Sequence, residues 1–343
     1  MEIHFKKDNG PIDECIRELM RLSGDIPRPE IVREMILASL KAGQEDDGAV
    51  DIKLMNSSLK EMRYTAKAFR PYNHFRKVTV FGSARTKPEE PIYRMAMSLG
   101  QKLSESGYMV ITGGGPGIMQ AAHEGAGPEY SFGVNIRLPF EQKNNPILEG
   151  NTKTITYKYF FNRKVAFLKE SDAIVLFPGG FGTLDEGMEA LTLVQTGKRN
   201  PVPIIFVDEP GGTYWRKWTE FIGGTLLLQG YISKSDLALF EKIESVDDVV
   251  ERIKRFYSRY HSLRYIRDVL VIRLLSSIRQ EKIEDMKNRF SEILKPYGEI
   301  CLSEPLPEEM DEPEIRDLPR LVLDFNRKDF GGLKALIDSI NSD

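Results

Sequence analysis

Short apolar runs that end in glycine alternate with helix-period segments through the middle of this chain. That alternation narrows the fold more than any other feature. "KVTVF" (77–81) stops at Gly82 and Ser83, "YMVIT" (108–112) at Gly113, Gly114 and Gly115, and "DAIVLF" (172–177) at Pro178, Gly179 and Gly180. β-Branched and aromatic runs bounded by glycine read as strands, and "SFGVNI", "KTITYKY" and "VPIIFVD" read the same way. Between them, "PIYRMAMSLGQKLSESG", "GIMQAAHEGA", "FFNRKVAFLKES" and "TLDEGMEALTLVQTG" carry apolar residues at three- and four-residue spacing, which predicts helices. Further helices are expected near "WRKWTEFI" and "VDDVVERIKRFYSRY". Strands alternating with helices imply a parallel sheet covered on both faces. Residues 73–262 are therefore read as a doubly wound α/β domain.

The flanks differ. Residues 1–72 read as a helical N-terminal extension, with the third helix stopping before Pro71. Residues 263–343 read as a small α+β C-terminal domain. There "LRYIRDVLVIRLL" is expected as one strand, "RQEKIEDMKNRFSEIL" as an amphipathic helix, "GEICLSE" and "RLVLDF" as strands, and "GGLKALIDSI" as a last helix. The acidic, Pro-rich "EPLPEEMDEPEIRDLP" reads as a surface loop. A length of 343 residues fits this division into two or three domains.

Composition excludes several classes. A net charge of −3 gives no global attraction to nucleic acid or to an anionic membrane, so neither is expected as a partner. No run approaches the roughly 20 apolar residues of a membrane helix. Cys15 and Cys301 form neither a CxxC pair nor a metal cluster. With no signal-like apolar stretch in "MEIHFKKDNG", the expected location is cytoplasmic. No metal site and no cofactor are read.

In an open parallel sheet, ligands bind beyond the carboxyl ends of the strands. Three strands here end in glycine loops: "FGSAR" (81–85), "GGGPGIM" (113–119) and "PGGFGT" (178–183). Glycines let backbone approach an oxyanion without a Cβ in the way. Unpaired amides and the dipole at a helix start favour negative charge. Together the loops predict a phosphate site, with Thr183 adding a hydroxyl; the bland alternative is three tight strand-to-helix turns. The GxGxxG spacing fails at Ile118, and no GxxxxGK[ST] occurs.

Candidate chemistry clusters beside the third loop. Thr183 and Glu186 have the S/T-x-x-E spacing of a capping box, so Glu186 is read either as a cap or as an acid at the mouth of the crevice. Asp185 competes; on a helix it points about 100° away from Glu186. Arg163 and Lys164 in "FFNRK" are either solvated charges or contacts to substrate oxygens. His123 is read as a partly buried helix residue before it is read as a base.

These residues together resemble the LOG ("Lonely Guy") phosphoribohydrolases. Pro178, Gly179, Gly180, Gly182, Thr183 and Glu186 fill PGGxGTxxE. Gly113, Gly114, Gly115, Gly117 and Met119 match GGGxxGxM, Arg163 and Lys164 match the preceding RK pair, and Gly82 and Ser83 match the strand-Gly-Ser opening. The resemblance covers about half of the chain; the flanks look more like the longer bacterial nucleotide 5′-monophosphate nucleosidases. It implies a Rossmann-like fold and hydrolysis of the N-glycosidic bond of a nucleoside 5′-monophosphate, purine and AMP-like, to free base and ribose 5-phosphate. It gives Glu186 the role of catalytic carboxylate and Arg163 that of catalytic arginine. The glycine loops, Ser83, Met119, Lys164 and Thr183 take the substrate and phosphate roles. It also implies a homodimer or higher homo-oligomer.

Three rival readings are carried. The lysine decarboxylase label often given to this family needs pyridoxal phosphate on a lysine, and nothing marks Lys164 or Lys169 for an imine. A non-catalytic nucleotide sensor, or a DNA-binding relative, would need the glycine loops but neither Glu186 nor Arg163. An enzyme–regulator hybrid would use residues 263–343 to bind an effector or a second subunit.

Overall fold

The computed structural model describes residues 5, 7–45, 48–139, 144–309 and 312–342. The chain divides into two compact units, Met1–Tyr64 and Thr65–Asp343. The first holds α1 (Pro11–Ser23), α2 (Pro29–Glu45) and most of α3 (Val50–Phe69). Arg33 on α2 grips the buried Asp13 carboxylate of α1 through Nε at 2.5 Å and Nη2 at 2.7 Å.

In the second unit, seven strands form one all-parallel sheet: β1 (Lys77–Phe81), β2 (Met109–Thr112), β3 (Ser131–Ile136), β4 (Thr154–Tyr157), β5 (Ala173–Leu176), β6 (Ile204–Val207) and β7 (Glu241–Ile243). Their order is β4-β3-β2-β1-β5-β6-β7. The chain walks outward from β1 to β4, then returns to add β5 on the other side of β1. The switch point therefore lies between β1 and β5.

Helices α4 (Pro91–Glu105), α5 (Ile118–Ala126), α6 (Phe160–Glu170), α7 (Phe181–Gln195), α8 (Tyr214–Phe221) and α9 (Val246–Phe256) follow β1, β2, β4, β5, β6 and β7 in turn. Alternation within the strands assigns them to faces. Val78, Val80, Val110 and Val175 pack with Ala96 and Leu99 of α4, Ala122 of α5 and Ile253 of α9. Phe81, Ile111, Ile174 and Leu176 pack on the other face with Phe167 of α6, Ala190 of α7 and Trp215 of α8. Burying each such side chain is worth roughly 1.5–3 kcal/mol. The doubly wound, Rossmann-like α/β class expected from the sequence is the class found.

A four-stranded antiparallel sheet follows within the same unit: β8 (Tyr260–Ile266), β9 (Val269–Leu274), β10 (Ile300–Ser303) and β11 (Arg320–Leu323), in the order β10-β11-β9-β8. Helices α10 (Gln280–Arg289) and α11 (Phe330–Ile340) cover it, and Ile272, Met286, Leu321 and Leu336 share its core. Two expectations fail here. "LRYIRDVLVIRLL" is a hairpin, not one strand: the chain reverses at Arg267, whose φ is 50°. No glycine or asparagine marks that turn. The acidic linker is not wholly a surface loop either. Glu309 is buried, accepting from Arg273 Nε at 2.8 Å and Arg320 Nε at 3.2 Å. β7, three half-buried residues at the sheet edge, has no apolar run and gave no sequence signal.

One contact in this layer bears on the site. A Cβ at Gly100 of α4 would lie 2.0 Å from the Ala122 carbonyl oxygen, and one at Gly125 of α5 would lie 1.8 Å from that of Met97. The two helices thus touch backbone to backbone, and this fixes where α5 starts. Gly125→Ala is expected to destabilise the fold by about 1–3 kcal/mol, opposite in sign to the ~1 kcal/mol that alanine gains in an open helix. Chemical denaturation of Gly100→Ala and Gly125→Ala against the parent checks this.

Candidate active site

The loops after β1, β2 and β5 meet at the switch point. Ser83 N–H donates to the Pro178 carbonyl at 3.0 Å, and the Ser83 carbonyl accepts from Ile118 N–H at 3.0 Å. One residue therefore ties its own loop to both others. A cleft of about 720 Å³ opens beside it, lined by residues 81–85 and 179–184 with Gly113, Met119, Arg163 and Glu186.

The glycines do two different jobs. A Cβ at Gly82 would fall 2.6 Å from the Ile118 side chain, at Gly117 2.3 Å from the Ser83 carbonyl oxygen, and at Gly179 2.2 Å from Thr183 Oγ1. These three let the loops touch. Around Gly180 and Gly182 nothing lies within 4 Å of a Cβ, so they face open cleft. Gly113 lines the cleft against Met119. Gly114 (φ 73°) and Gly117 (φ 68°) bend the second loop in the left-handed region. Gly114, Gly115, Gly117 and Lys164 are outside the lining. The Asn145 side chain holds the Gly115 carbonyl at 3.2 Å.

The capping box is not formed. The N-cap of α7 is Gly180, with no side-chain cap bond, which puts Thr183 at the third helical position and Glu186 in the second turn. Thr183 is buried beneath Gly179 and lines the cleft. Glu186 is thus a carboxylate with no capping duty. It is 3% exposed, and its Oε2 has no hydrogen-bond partner. Its Oε1 lies 3.8 Å from Arg163 Nη2, and Arg163 Nε is likewise buried and unpartnered.

Charge around this pair is graded. Burial pushes the Glu186 carboxyl up to about 7, while Lys164 and Arg163 pull it back toward its ionised form. Burial lowers the Arg163 pKa against the opposing pull of Glu186 and Asp185. Lys164 bonds Asp185 at 2.8 Å and Glu189 at 2.7 Å. Asp185 is therefore an exposed ion-pair partner outside the cleft lining, leaving Glu186 as the acid that faces the cleft. His123 is fully buried, donating from Nε2 to the Phe132 carbonyl at 3.2 Å and accepting from Asn145 at Nδ1. Burial holds its pKa down to about 4, so it is neutral and supports the second loop through Asn145.

Sequence reasoning missed three contributors. Arg85 lines the cleft and stood in the quoted "FGSAR" without a role. Phe181, 93% exposed between two glycines, lines the mouth. Tyr214 on α8 donates its hydroxyl to the Gly179 carbonyl at 2.5 Å, a contact between distant segments with no local signal.

Residues 116–253 match the family model described as "Possible lysine decarboxylase". The chain is 27% identical over 195 residues to "Probable cytokinin riboside 5'-monophosphate phosphoribohydrolase LOGL5" of Oryza sativa subsp. japonica, covering 55% of this chain and 76% of that protein. It is 25% identical over 197 residues to "Cytokinin riboside 5'-monophosphate phosphoribohydrolase LOG7" of Arabidopsis thaliana, covering 56% and 87%. Across its parallel-sheet region, the chain is similar to the LOG phosphoribohydrolases. Among solved structures, the molybdenum cofactor binding protein of Rippkaea orientalis matches with 21% identity over 52% of this chain and 96% of that one, at a TM-score of 0.39. The sheet order, not that superposition, defines the fold here. No helix among the described residues is long and apolar enough to cross a membrane.

The decarboxylase description of this LOG-family model does not fit the site. An imine to pyridoxal phosphate needs a lysine in the cleft, and among the described residues none lines it. Lys164 is held by two carboxylates, and the side chain of Lys169 is 65% exposed beside Glu170.

Two outcomes follow from this geometry. Gly179→Ala is expected to destabilise the protein, whereas Gly182→Ala leaves it as stable or up to ~1 kcal/mol more so; thermal unfolding of the pair checks the division. Glu186 is protonated more readily folded than unfolded, so its contribution is full below its ordinary value of 4.5 and is lost as pH rises through about 7. The stability of Glu186→Gln relative to the parent should therefore climb by up to ~3 kcal/mol across that window and then level off. Urea titrations at half-unit pH steps read this.

Proposed function

We propose that the protein hydrolyses the N-glycosidic bond of a nucleoside 5′-monophosphate, purine and AMP-like, to free base and ribose 5-phosphate. The observation that carries this reading is the buried, half-satisfied Glu186 carboxylate beside Arg163 in a glycine-lined cleft at the start of α7. A phosphate seated on the amides of α7 finds no side-chain cap and no acidic residue in the first turn. Gly180 and Gly182 leave it room. Glu186 then lies within the second turn, on the ribose side of that phosphate.

Cleaving the bond from C1′ to the base nitrogen builds oxocarbenium character on the sugar. The Glu186 carboxylate stabilises that charge and orients, then deprotonates, the attacking water; the C1′–O bond to that water replaces the C1′–N bond, and the departing base nitrogen takes up a proton from solvent. A group poised near neutrality suits such proton transfer, which is worth about 10²–10⁴ in rate. Arg163 stays cationic and acts electrostatically: it holds Glu186 toward its ionised form and offers its unpartnered Nε to substrate oxygens. The remote phosphate fixes the sugar against the acid, so its binding energy serves the chemical step. The plant relatives' names specify cytokinin riboside monophosphates; an AMP-like purine is the reading for this chain. A cytoplasmic homo-oligomer belongs to the same proposal. The exposed Phe160, Phe161 and Val165 of α6 supply apolar surface for a second copy.

Base release from a panel of nucleoside monophosphates and the matching nucleosides is the test, with Glu186→Gln alongside. Release is expected from monophosphates, falling at least about 100-fold in the variant. The parent's kcat/KM should rise with pH and level off above about 7. Intact nucleotide binding without release from any monophosphate would overturn the hydrolase and leave a nucleotide sensor.

A further inference from the structure

Among the described residues, three charged ones line the cleft: Glu186, Arg163 and Arg85. Arg163 stands at the acid's end of the cleft, with a side chain only 15% exposed and its guanidinium 3.8 Å from the Glu186 carboxylate. A phosphate dianion at the opposite end would be left with amide dipoles and the Thr183 hydroxyl, equivalent to about half a charge from the helix. Arg85 is the remaining cation, and among the described residues no ion pair engages it.

Its loop is fixed where such a cation is needed. Ser83 N–H is bonded to the Pro178 carbonyl and lies 3.0 Å from the position of a Gly179 Cβ, so the two loops are in contact. Arg85 N–H donates to Ser83 Oγ at 3.1 Å, turning the chain two residues beyond that contact. Arg85 lines the cleft together with Gly180 and Gly182, the two glycines with open space around them. The first turn of α7 contains no acidic residue to capture the guanidinium.

Resting on the reading of the cleft as a monophosphate site, we infer that Arg85 is the substrate-specificity residue that recognises the 5′-phosphate dianion and so separates nucleotides from nucleosides. A guanidinium can grip two phosphate oxygens at once, which an ammonium cannot. A charge-assisted contact of this kind is worth about 10- to 100-fold in affinity.

The test uses the full chain, Arg85→Ala and Arg85→Lys, with ribose 5-phosphate as the calorimetric ligand and AMP and adenosine as substrates. Arg85→Ala should weaken ribose 5-phosphate about 10- to 100-fold, with the loss for AMP falling on KM rather than kcat. The preference for AMP over adenosine should shrink by the same factor, and Arg85→Lys should recover part of it. Ribose 5-phosphate binding unchanged in Arg85→Ala would overturn the inference. So would equal losses for AMP and adenosine, which would mark a structural role. If ribose 5-phosphate binding depends on Arg85 but no base is released by the parent, the hydrolase reading fails while the assignment of Arg85 to phosphate stands.

Discussion

The backbone of Ser83 is the contact on which the cleft depends. Its N–H reaches the loop after β5 and its carbonyl reaches the start of α5, so three strand ends converge on one residue. Both bonds require backbones to approach within a distance that side chains forbid. Gly82, Gly117 and Gly179 supply that approach, each where a Cβ would collide with an atom of a neighbouring loop or helix. The parallel sheet brings the loops to one edge, and the Gly100–Gly125 crossing sets α5 at the right height. The hydrogen bonds of Ser83 then lock the arrangement.

That lock creates the electrostatic asymmetry of the site. Because α7 starts at Gly180, Glu186 sits in its second turn, beneath the cleft and beyond reach of the helix end. Its neighbour Asp185 turns outward to Lys164 and stays in water. Two adjacent acids with similar intrinsic chemistry thus end in opposite states: one solvated and ion-paired, the other buried with one oxygen unsatisfied. A buried charge of that kind is costly to the fold. The same cost moves the carboxyl toward neutrality, where proton transfer is efficient. Lys164 keeps its importance without touching the cleft, because its charge and that of Arg163 oppose the desolvation of Glu186.

Much of this was legible in the chain. Period-two and period-3.6 patterns are local, so the strands at 77–81, 109–112 and 173–176 and the helices between them could be read directly, and alternation of the two demands a covered parallel sheet. Signals failed where the deciding partner was distant or the local chemistry misled. Thr183 and Glu186 have capping-box spacing, yet the helix begins three residues earlier, with Gly180 as its N-cap. The hairpin at Arg267 and Asp268 carries no glycine or asparagine to mark its turn. Glu309 lies in an acidic loop but is drawn inside by Arg273 and Arg320, which come from two strands of the second sheet.

The sequence by itself determined the α/β class and the glycine loops, because each is written in residue type and short-range spacing; the pairing of Glu186 with Arg163 entered only as what the family resemblance implies. Only the tertiary structure decided which acid faces the cleft, which glycines permit loop contact and which leave room for a ligand. It also decided that His123 is a neutral support, and that Arg85 lines the cleft with no ion pair among the described residues. Those distinctions depend on burial and on distances between segments up to about a hundred residues apart, such as Ser83 and Pro178. Burial and long-range distance come into being only when the sheet assembles.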